Sequence, residues 1–148
     1  QPDKTSHPEP AMSANFSMPV RVYYEDTDAG GVVYYANYLK FMERARTEWL
    51  RSCGYEQGHM SENIDMVFAV RSMNIEFLKP AKLDDLLTVR ITLSECRKAS
   101  FVAEHALWRD GQLLLTGSAR IACLSASAFK PRAIPEPLLQ LIQDGVSA

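Results

Sequence analysis

The chain contains one long helical pattern and otherwise mostly strand patterns, and this restricts its fold more than any other feature. Apolar residues recur at three- and four-residue steps at positions 38, 41, 42, 45, 49 and 53, while charged residues occupy much of the other face. This spacing predicts an amphipathic helix. Asn37 is expected to cap its start and Gly54 to end it. Phe41 and Trp49 are expected in the core.

Alternating apolar and polar residues predict strands on both sides of this helix. The strand patterns cover residues 20–25, 72–77, 88–93, 101–108 and 113–124. Asp110-Gly111 separates the last two, which is a strong hairpin signal, and we expect the last four strands to form a meander. A short apolar run after Pro135 predicts a terminal helix. The order indicates an α+β fold in which the helix covers one face of a five-stranded antiparallel sheet.

Composition indicates one ordinary globular domain. The chain has 148 residues, 47% of them hydrophobic and 23% charged, with a net charge of -2. Residues 1–17 are rich in Pro and Ser and are expected to form a flexible tail, leaving 18–148 as the domain. A net charge this close to zero argues against nucleic acid as a partner, since nucleic-acid-binding proteins usually carry an excess of basic residues. There is no apolar run long enough to span a bilayer.

The cysteines and the missing motifs narrow the chemistry further. Three widely spaced cysteines without a CxxC pair suggest reduced thiols in a cytoplasmic protein and no metal site. The sequence also lacks the signatures of dinucleotide folds, P-loop enzymes, zincins and α/β-hydrolases. Any catalytic site is therefore expected to use other groups.

Two carboxylates mark the most informative stretch. Asp26 and Asp28 come directly before Gly30-Gly31 and an aromatic run that leads into the helix. The start of a helix presents unpaired amide donors that can polarise a carbonyl, and a nearby carboxylate can act as nucleophile or general base. The alternative is that both Asp residues only hold the turn through backbone hydrogen bonds.

The residues around this turn resemble the signature of the 4-hydroxybenzoyl-CoA thioesterase family of hot-dog proteins. The resemblance rests on YEDTDAGGVVYYANY at 24–38 and ERAR at 43–46, and it extends to about residue 123 through FLKPA at 77–81 and LDDL at 83–86. Within the family, the sequence is most similar to bacterial acyl-CoA thioesterases associated with the Tol-Pal system. The implied fold is a long central helix wrapped by a curved five-stranded antiparallel sheet.

The resemblance also implies roles for single residues. Asp28 would be the catalytic carboxylate, either attacking the thioester or activating water, and the Tyr35 amide would bind the thioester oxygen. The side chain of Tyr35 is a departure, because many relatives carry His there. Four residues are expected to support the site structurally: Tyr24, Asp26, Gly31 and Glu43. Direct chemistry by Asp26 is the alternative, because paired carboxylates can push their pKa values apart. Glu43 and Arg46, three residues apart on the helix, are expected to form an ion pair.

Coenzyme A, as part of the substrate, needs groups that bind its phosphates. The basic turn at Arg97, Lys98 and Ser100 is the main candidate, since the corresponding family loop contacts the nucleotide, and Arg71 and Lys79 are weaker ones. A plain solvated hairpin is the alternative. The three histidines are isolated in sequence, and a structural role is expected for His105.

These expectations predict a cytoplasmic acyl-CoA thioesterase that needs no further cofactor. The resemblance implies a homodimer, assembled into a dimer of dimers, with each subunit supplying part of the site. A hot-dog dehydratase is a second possibility, but such enzymes rely on a histidine that this turn lacks. A third is a non-catalytic protein that binds acyl-CoA or acyl carrier protein and acts on the cell-envelope machinery.

Overall fold

The computed structural model describes residues 15–56, 58 and 62–147. Its strands are β1 (Phe16–Arg21), β2 (Val67–Phe77), β3 (Leu86–Cys96), β4 (Ser100–Arg109) and β5 (Gln112–Leu124). Its helices are α1 (Tyr35–Ser52) and α2 (Glu136–Ser147), and a single 3₁₀ turn covers Tyr24–Asp26. The element order agrees with the predicted α+β class.

The five strands form one antiparallel sheet in the order β1-β3-β4-β5-β2. The prediction of a four-strand meander is therefore wrong for β2, which pairs with β5 at the far edge of the sheet. One edge of β3 is occupied by β1, so β2 has no place beside β3. The β4–β5 hairpin is as predicted, with Asp110 and Gly111 at φ angles of 50° and 80°, as a two-residue type I′ turn requires.

The apolar face of α1 packs across the sheet, and Phe41, Met42 and Trp49 are buried as the helical pattern predicted. At Gly117 of β5, a Cβ atom would lie 2.9 Å from Sδ of Met42. A side chain at position 117 would therefore require the buried Met42 side chain to shift.

The first strand begins and ends earlier than predicted. It starts at Phe16, which lies opposite Ile91 of β3, so the last two residues of the predicted tail belong to this strand. Residues 1–14 of that tail lie outside the described residues. The strand stops at Arg21 instead of continuing to position 25, because the chain bends into the 3₁₀ turn.

The predicted end of α1 is confirmed, but its predicted N-cap is wrong. Asn37 does not cap the helix, which begins two residues earlier with Tyr34 in the N-cap position. Gly54 ends it as predicted, with φ at 94°. The Gly54 amide donates to the carbonyl of Arg51 and the Tyr55 amide to that of Leu50, at 3.0 and 2.8 Å. This pattern is a Schellman motif.

Candidate functional site

The turn before α1 is held by the buried carboxylate of Asp26, which is 4% exposed. Its Oδ2 accepts the Tyr23 amide at 2.8 Å, and its Oδ1 accepts the side-chain amide of Asn37 at 2.9 Å. Its backbone oxygen accepts the Tyr34 amide at 2.9 Å. Asp26 thus fixes the turn to the first turn of the helix.

Asp28 projects from the same turn and is exposed. Its Oδ1 accepts the Gly30 amide at 2.8 Å, and its carbonyl accepts the Gly31 amide at 3.0 Å. Gly31 has a φ of 83°, a conformation that favours glycine. The Asp28 amide donates to the carbonyl of Val32 at 2.8 Å, and the carboxylate is therefore displayed on a fixed backbone.

The start of α1 follows the turn that carries this carboxylate. Thr27 and Val33 form an isolated antiparallel bridge, which brings Asp28 alongside the residues that lead into the helix. Tyr35 is the first helical residue, and amides at this position have no acceptor within the helix. The Tyr35 ring is 64% exposed. The Asp28 turn thus adjoins the residues that begin the helix, whose first amides are available to donate to a ligand.

Tyr24 contacts the turn through its backbone carbonyl, and its ring is exposed. Its side chain is 82% exposed. Its carbonyl accepts the amide and the hydroxyl of Thr27 at 3.1 and 2.8 Å. Any support that Tyr24 gives to the turn therefore comes from its backbone.

An apolar cavity of about 240 Å³ opens next to the Tyr35 ring. Its lining residues are Val33, Tyr35, Tyr38, Phe77, Leu78, Lys79 and Pro80. The Tyr35 ring meets Phe77 edge-on, with centroids 6.3 Å apart. Lys79, one of the weaker phosphate candidates, is the charged residue in this lining. The cavity offers an apolar group a place beside the helix start.

Residues not singled out from the sequence fix the wall of this cavity. The Tyr38 hydroxyl accepts the Ala81 amide at 2.9 Å, and burial raises the pKa of Tyr38. The Asp85 carboxylate accepts Nη1 of Arg109 at 2.7 Å and the Lys82 amide at 2.8 Å. Burial alone would raise the pKa of Asp85, but these hydrogen bonds lower it. Tyr38 belonged to the helical pattern and to the family string at 24–38, and Asp85 to the LDDL string at 83–86, but neither residue was predicted to support this cavity.

The predicted coenzyme A turn lies between β3 and β4. Nε of Arg97 pairs with Oε2 of Glu95 at 2.6 Å, and Arg120 contacts the same oxygen at 3.0 Å. Hydrogen bonding to Arg120 and the charges of both arginines lower the pKa of Glu95. Lys98 is exposed and occurs in no ion pair between described residues. Lys98 is thus better placed than Arg97 to meet a phosphate.

A second cavity brings Ser100 close to Arg71. It measures about 460 Å³, and both residues belong to its lining, together with Ala99, Pro131 and the adjoining ends of β2 and β5. Two predicted coenzyme A candidates from distant parts of the sequence therefore meet at the start of β2.

The two predicted parts of the site lie far apart within one chain. Ser100 lies opposite Ala122, which lies opposite Ala69 at the start of β2. The Tyr35 ring contacts Phe77 at the end of β2. Eight residues of strand separate Ala69 from Phe77 and span about 27 Å. The structure therefore does not bring the basic turn to Asp28 of the same chain.

The predicted ion pair between Glu43 and Arg46 does not form. Nη1 of Arg46 instead lies 3.0 Å from Nε2 of His105, a contact that sequence spacing could not reveal. His105 is buried, as its predicted structural role requires. Glu43 is exposed on α1 and does not contact the Asp26 turn through any described hydrogen bond.

The described part of the chain has neither a cluster of metal-binding side chains nor a helix that could cross a membrane. Within residues 15–56, 58 and 62–147, no three His, Cys, Asp or Glu side chains are grouped so that they could hold a metal ion. None of the helices within these ranges has the length and apolar character that crossing a bilayer needs.

Comparison with known proteins gives one family. The model of the thioesterase superfamily matches residues 30–116, which include Tyr35 and the ERAR string. Acyl-CoA thioesterase YbgC of Haemophilus influenzae is 46% identical over 125 residues, covering 84% of this chain and 92% of that protein. The protein of the same name from Helicobacter pylori is 35% identical and covers 84% and 98%.

Solved structures agree with these relatives. A probable thioesterase from Bartonella henselae is 37% identical with a TM-score of 0.78, covering 82% of this chain and all of that one. The 4-hydroxybenzoyl-CoA thioesterase of Pseudomonas sp. strain CBS-3 is 26% identical with a TM-score of 0.78, covering 86% and 99%. The predicted family resemblance and the predicted hot-dog fold are both confirmed.

Proposed function

Because this chain belongs to the thioesterase superfamily of hot-dog proteins, we propose that it hydrolyses acyl-CoA to a free acid and coenzyme A. The observation that carries the proposal is the exposed Asp28 carboxylate, which is hydrogen-bonded within the turn that leads into the start of α1. The names of the curated relatives support acyl-CoA as the substrate class.

Asp28 acts on the thioester carbonyl in one of two ways. It attacks the carbonyl carbon and expels coenzyme A as thiolate, and water then hydrolyses the acyl-enzyme anhydride. Alternatively, it takes a proton from a water molecule that attacks the same carbon. Both routes consume one water and release the acid and the thiol. The geometry of the turn is compatible with either.

The Tyr35 amide binds the carbonyl oxygen as negative charge develops on it. One such donor typically contributes about 3 kcal/mol to lowering the barrier, and the positive end of the α1 dipole adds to the effect. The Tyr35 ring belongs to the apolar cavity lining, so we assign it to packing against the substrate. Asp26, Gly31 and the Tyr24 backbone keep the turn in place. We assign Glu43 no contact with the reacting atoms.

A homodimer resolves the separation between Asp28 and the basic turn. Strand β2 lies at an edge of the sheet, and all its residues remain at least partly exposed. Two β2 strands related by a two-fold axis would pair antiparallel. The Ala69 end of one copy would then meet the Phe77 end of its partner. Each site would combine Asp28 from one subunit with a basic turn from the other.

In this arrangement the nucleotide of coenzyme A binds near Lys98, Ser100 and Arg71 of the partner subunit. The 460 Å³ cavity at the start of β2 supports this, because Ser100 and Arg71 both line it. Arg97 contributes only where a phosphate competes with Glu95 for its guanidinium. Charge-assisted contacts with phosphate are strong enough for such an exchange.

Several wider predictions from the family resemblance belong to the same proposal. They are a dimer of dimers, a cytoplasmic location, a link to the Tol-Pal system, and acyl carrier protein as a partner. A carrier-protein thioester presents the same carbonyl to Asp28, so the chemistry proposed above applies to it unchanged. The mass of the assembly in solution, measured by sedimentation equilibrium, tests the oligomer.

A thiol-release assay over acyl-CoA substrates of increasing chain length tests the function. We expect release of coenzyme A together with an equal amount of free acid. The non-catalytic alternative predicts binding of acyl-CoA and of carrier-protein thioesters without turnover of either. Absence of turnover across both substrate series contradicts the proposal.

A further inference from the structure

The second half of α1 faces the start of β2 across a cavity of about 210 Å³. Its apolar lining is formed by Trp49, Leu50, Phe68, Ala69, Val70, Phe101 and Ile121. Its polar lining comes from Glu43, Arg46 and Thr47, on one face of α1. One water occupies roughly 30 Å³ in the liquid, so the cavity can hold a short aliphatic chain.

Arg46 is held in this lining by an uncharged partner. Its Nη1 lies 3.0 Å from Nε2 of His105, and Nδ1 of His105 lies 2.9 Å from the Gly117 carbonyl oxygen. Arginine can only donate, so His105 accepts at Nε2 and donates from Nδ1. The imidazole is therefore neutral. Burial, with the charge of Arg46, lowers the pKa of His105 to about 4, in agreement with this geometry.

No carboxylate forms an ion pair with Arg46 among the described residues, although Glu43 lines the same cavity. None of the ion pairs between them includes Arg46. Burial lowers its pKa, and the charge of Glu43 opposes this only through space. Arg46 is partly buried, and even partial burial of a cation without an ion-pair partner is unfavourable. A guanidinium with further N–H donors beside a cavity is a typical receptor for a carboxylate.

We propose that this cavity binds an aliphatic carboxylate, with the carboxylate on Arg46 and the chain against the apolar lining. The proposal rests on the proposed function, since thioester hydrolysis supplies such a group in two ways. A released acid carries a carboxylate, and a dicarboxylic acyl-CoA carries one at the far end of its acyl group. In the β2-to-β2 dimer, this cavity lies at the end of β2 that meets the Tyr35 end of the partner subunit.

Calorimetric titration of the full chain with octanoate tests binding independently of turnover. We expect Arg46→Gln to weaken binding about tenfold or more, because a charge-assisted hydrogen bond is lost. Arg44→Gln is the matched control, since Arg44 is an exposed arginine on the same helix. It should leave octanoate affinity unchanged.

A second variant separates loss of binding from loss of folding. Ala69→Leu fills the cavity from β2 and leaves the bond between Arg46 and His105 untouched. It should also weaken octanoate binding about tenfold, while its unfolding temperature stays close to that of the parent protein. Ala69 also lines the 460 Å³ cavity, so Ala99→Leu, which narrows only that cavity, is the matched control and should leave octanoate affinity unchanged. If Arg46→Gln does not fold, the comparison of Ala69→Leu with Ala99→Leu decides the outcome.

A kinetic comparison distinguishes the two sources of the carboxylate. Dicarboxylic and monocarboxylic acyl-CoA substrates of equal length are compared by kcat/KM. A preference for the dicarboxylic substrate that is lost in Arg46→Gln or Ala69→Leu identifies the acyl end as the source. Variant-sensitive octanoate binding without such a preference identifies the released acid.

The proposal is overturned if neither octanoate binding nor substrate preference depends on Arg46 or Ala69. Octanoate binding that depends on them in a protein without thioesterase activity would keep this site and contradict the proposed function.

Discussion

The carboxylate of Asp26 and the side-chain amide of Asn37 form a hydrogen bond of 2.9 Å that joins the turn to the first turn of α1. Asn37 was expected to cap the helix, but its side chain instead satisfies a buried carboxylate that is 4% exposed. The bond fixes the turn that carries Asp28 against the helix that carries the Tyr35 amide. The relative position of these two groups therefore depends on Asp26.

Replacing Asp26 should destabilise the protein and disturb the site together. Asp26→Ala leaves the donors of Tyr23 and Asn37 without their acceptor, and a buried unsatisfied group costs about 1–3 kcal/mol. Urea unfolding measures the loss, and the same variant should show a reduced kcat. Glu25→Gln changes an exposed carboxylate of the same turn and should shift stability by less than about 0.5 kcal/mol. Equal effects of the two changes would contradict the role assigned to Asp26.

Local signals in the sequence were sufficient for α1 and the last hairpin. The apolar spacing, Gly54 and Asp110-Gly111 act on neighbouring residues, and the structure places a helix, its end and a two-residue turn there. The start of α1 was misplaced because Asn37 has a distant partner, Asp26, that outweighs its local capping preference. Short-range patterns therefore predicted the positions of helices and turns better than they predicted the hydrogen-bond partners of single side chains.

The sequence patterns could not predict which residues distant in the chain contact one another. The alternation of β2 predicted a strand but could not select β5 over β3 as its partner. The contact between Arg46 and His105 joins residues on α1 and β4, so helical spacing favoured Glu43 instead. The two carboxylates drew attention to the Asp28 turn, but only the family resemblance favoured catalysis over a structural turn, because Asp-rich turns are common in loops.

Stability should fall with acid because His105 is kept neutral by its surroundings. Its pKa is lowered to about 4 in the folded protein, so the unfolded chain binds a proton first as pH falls below about 6.5. The free energy of unfolding should decrease by about 2.5 kcal/mol between pH 7 and pH 4.5 through this group.

The non-titrating variant His105→Gln isolates this effect. Carboxylates titrate alike in both proteins, so the difference between their pH profiles from urea unfolding reports on His105. A profile of His105→Gln parallel to that of the parent protein would refute the neutral state of His105.

The close crossing of α1 over β5 predicts a cost for any side chain at Gly117. A Cβ there would lie 2.9 Å from Sδ of Met42, and Met42 is fully buried. Gly117→Ala should destabilise the protein by about 1–3 kcal/mol, as overpacking does. In a Met42→Ala background the same change should cost less, and a double-mutant cycle of unfolding energies measures the difference. Additive costs would show that Met42 is not the source of strain.

Two inactive variants should restore activity when mixed if the site is shared between subunits. Asp28→Asn removes the carboxylate and Lys98→Glu opposes the phosphates, and each alone should have low activity. In mixed dimers one of the two sites has both residues intact. Random assortment of subunits then recovers about a quarter of the sites.

Thiol release after joint refolding measures this recovery, with each variant refolded alone as the control. If the mixture is no more active than the average of the two variants, Asp28 and Lys98 do not meet across a subunit interface.

The central claim is that the Asp28 carboxylate carries out thioester hydrolysis, and the kcat of Asp28→Asn tests it most directly. Asn keeps the shape of the side chain and an oxygen that can accept the Gly30 amide, so the turn should be preserved and the KM for acyl-CoA should change little. We predict that kcat falls at least about a hundredfold, in line with the loss of a general base or nucleophile. A folded Asp28→Asn protein with the full kcat of the parent would contradict the account.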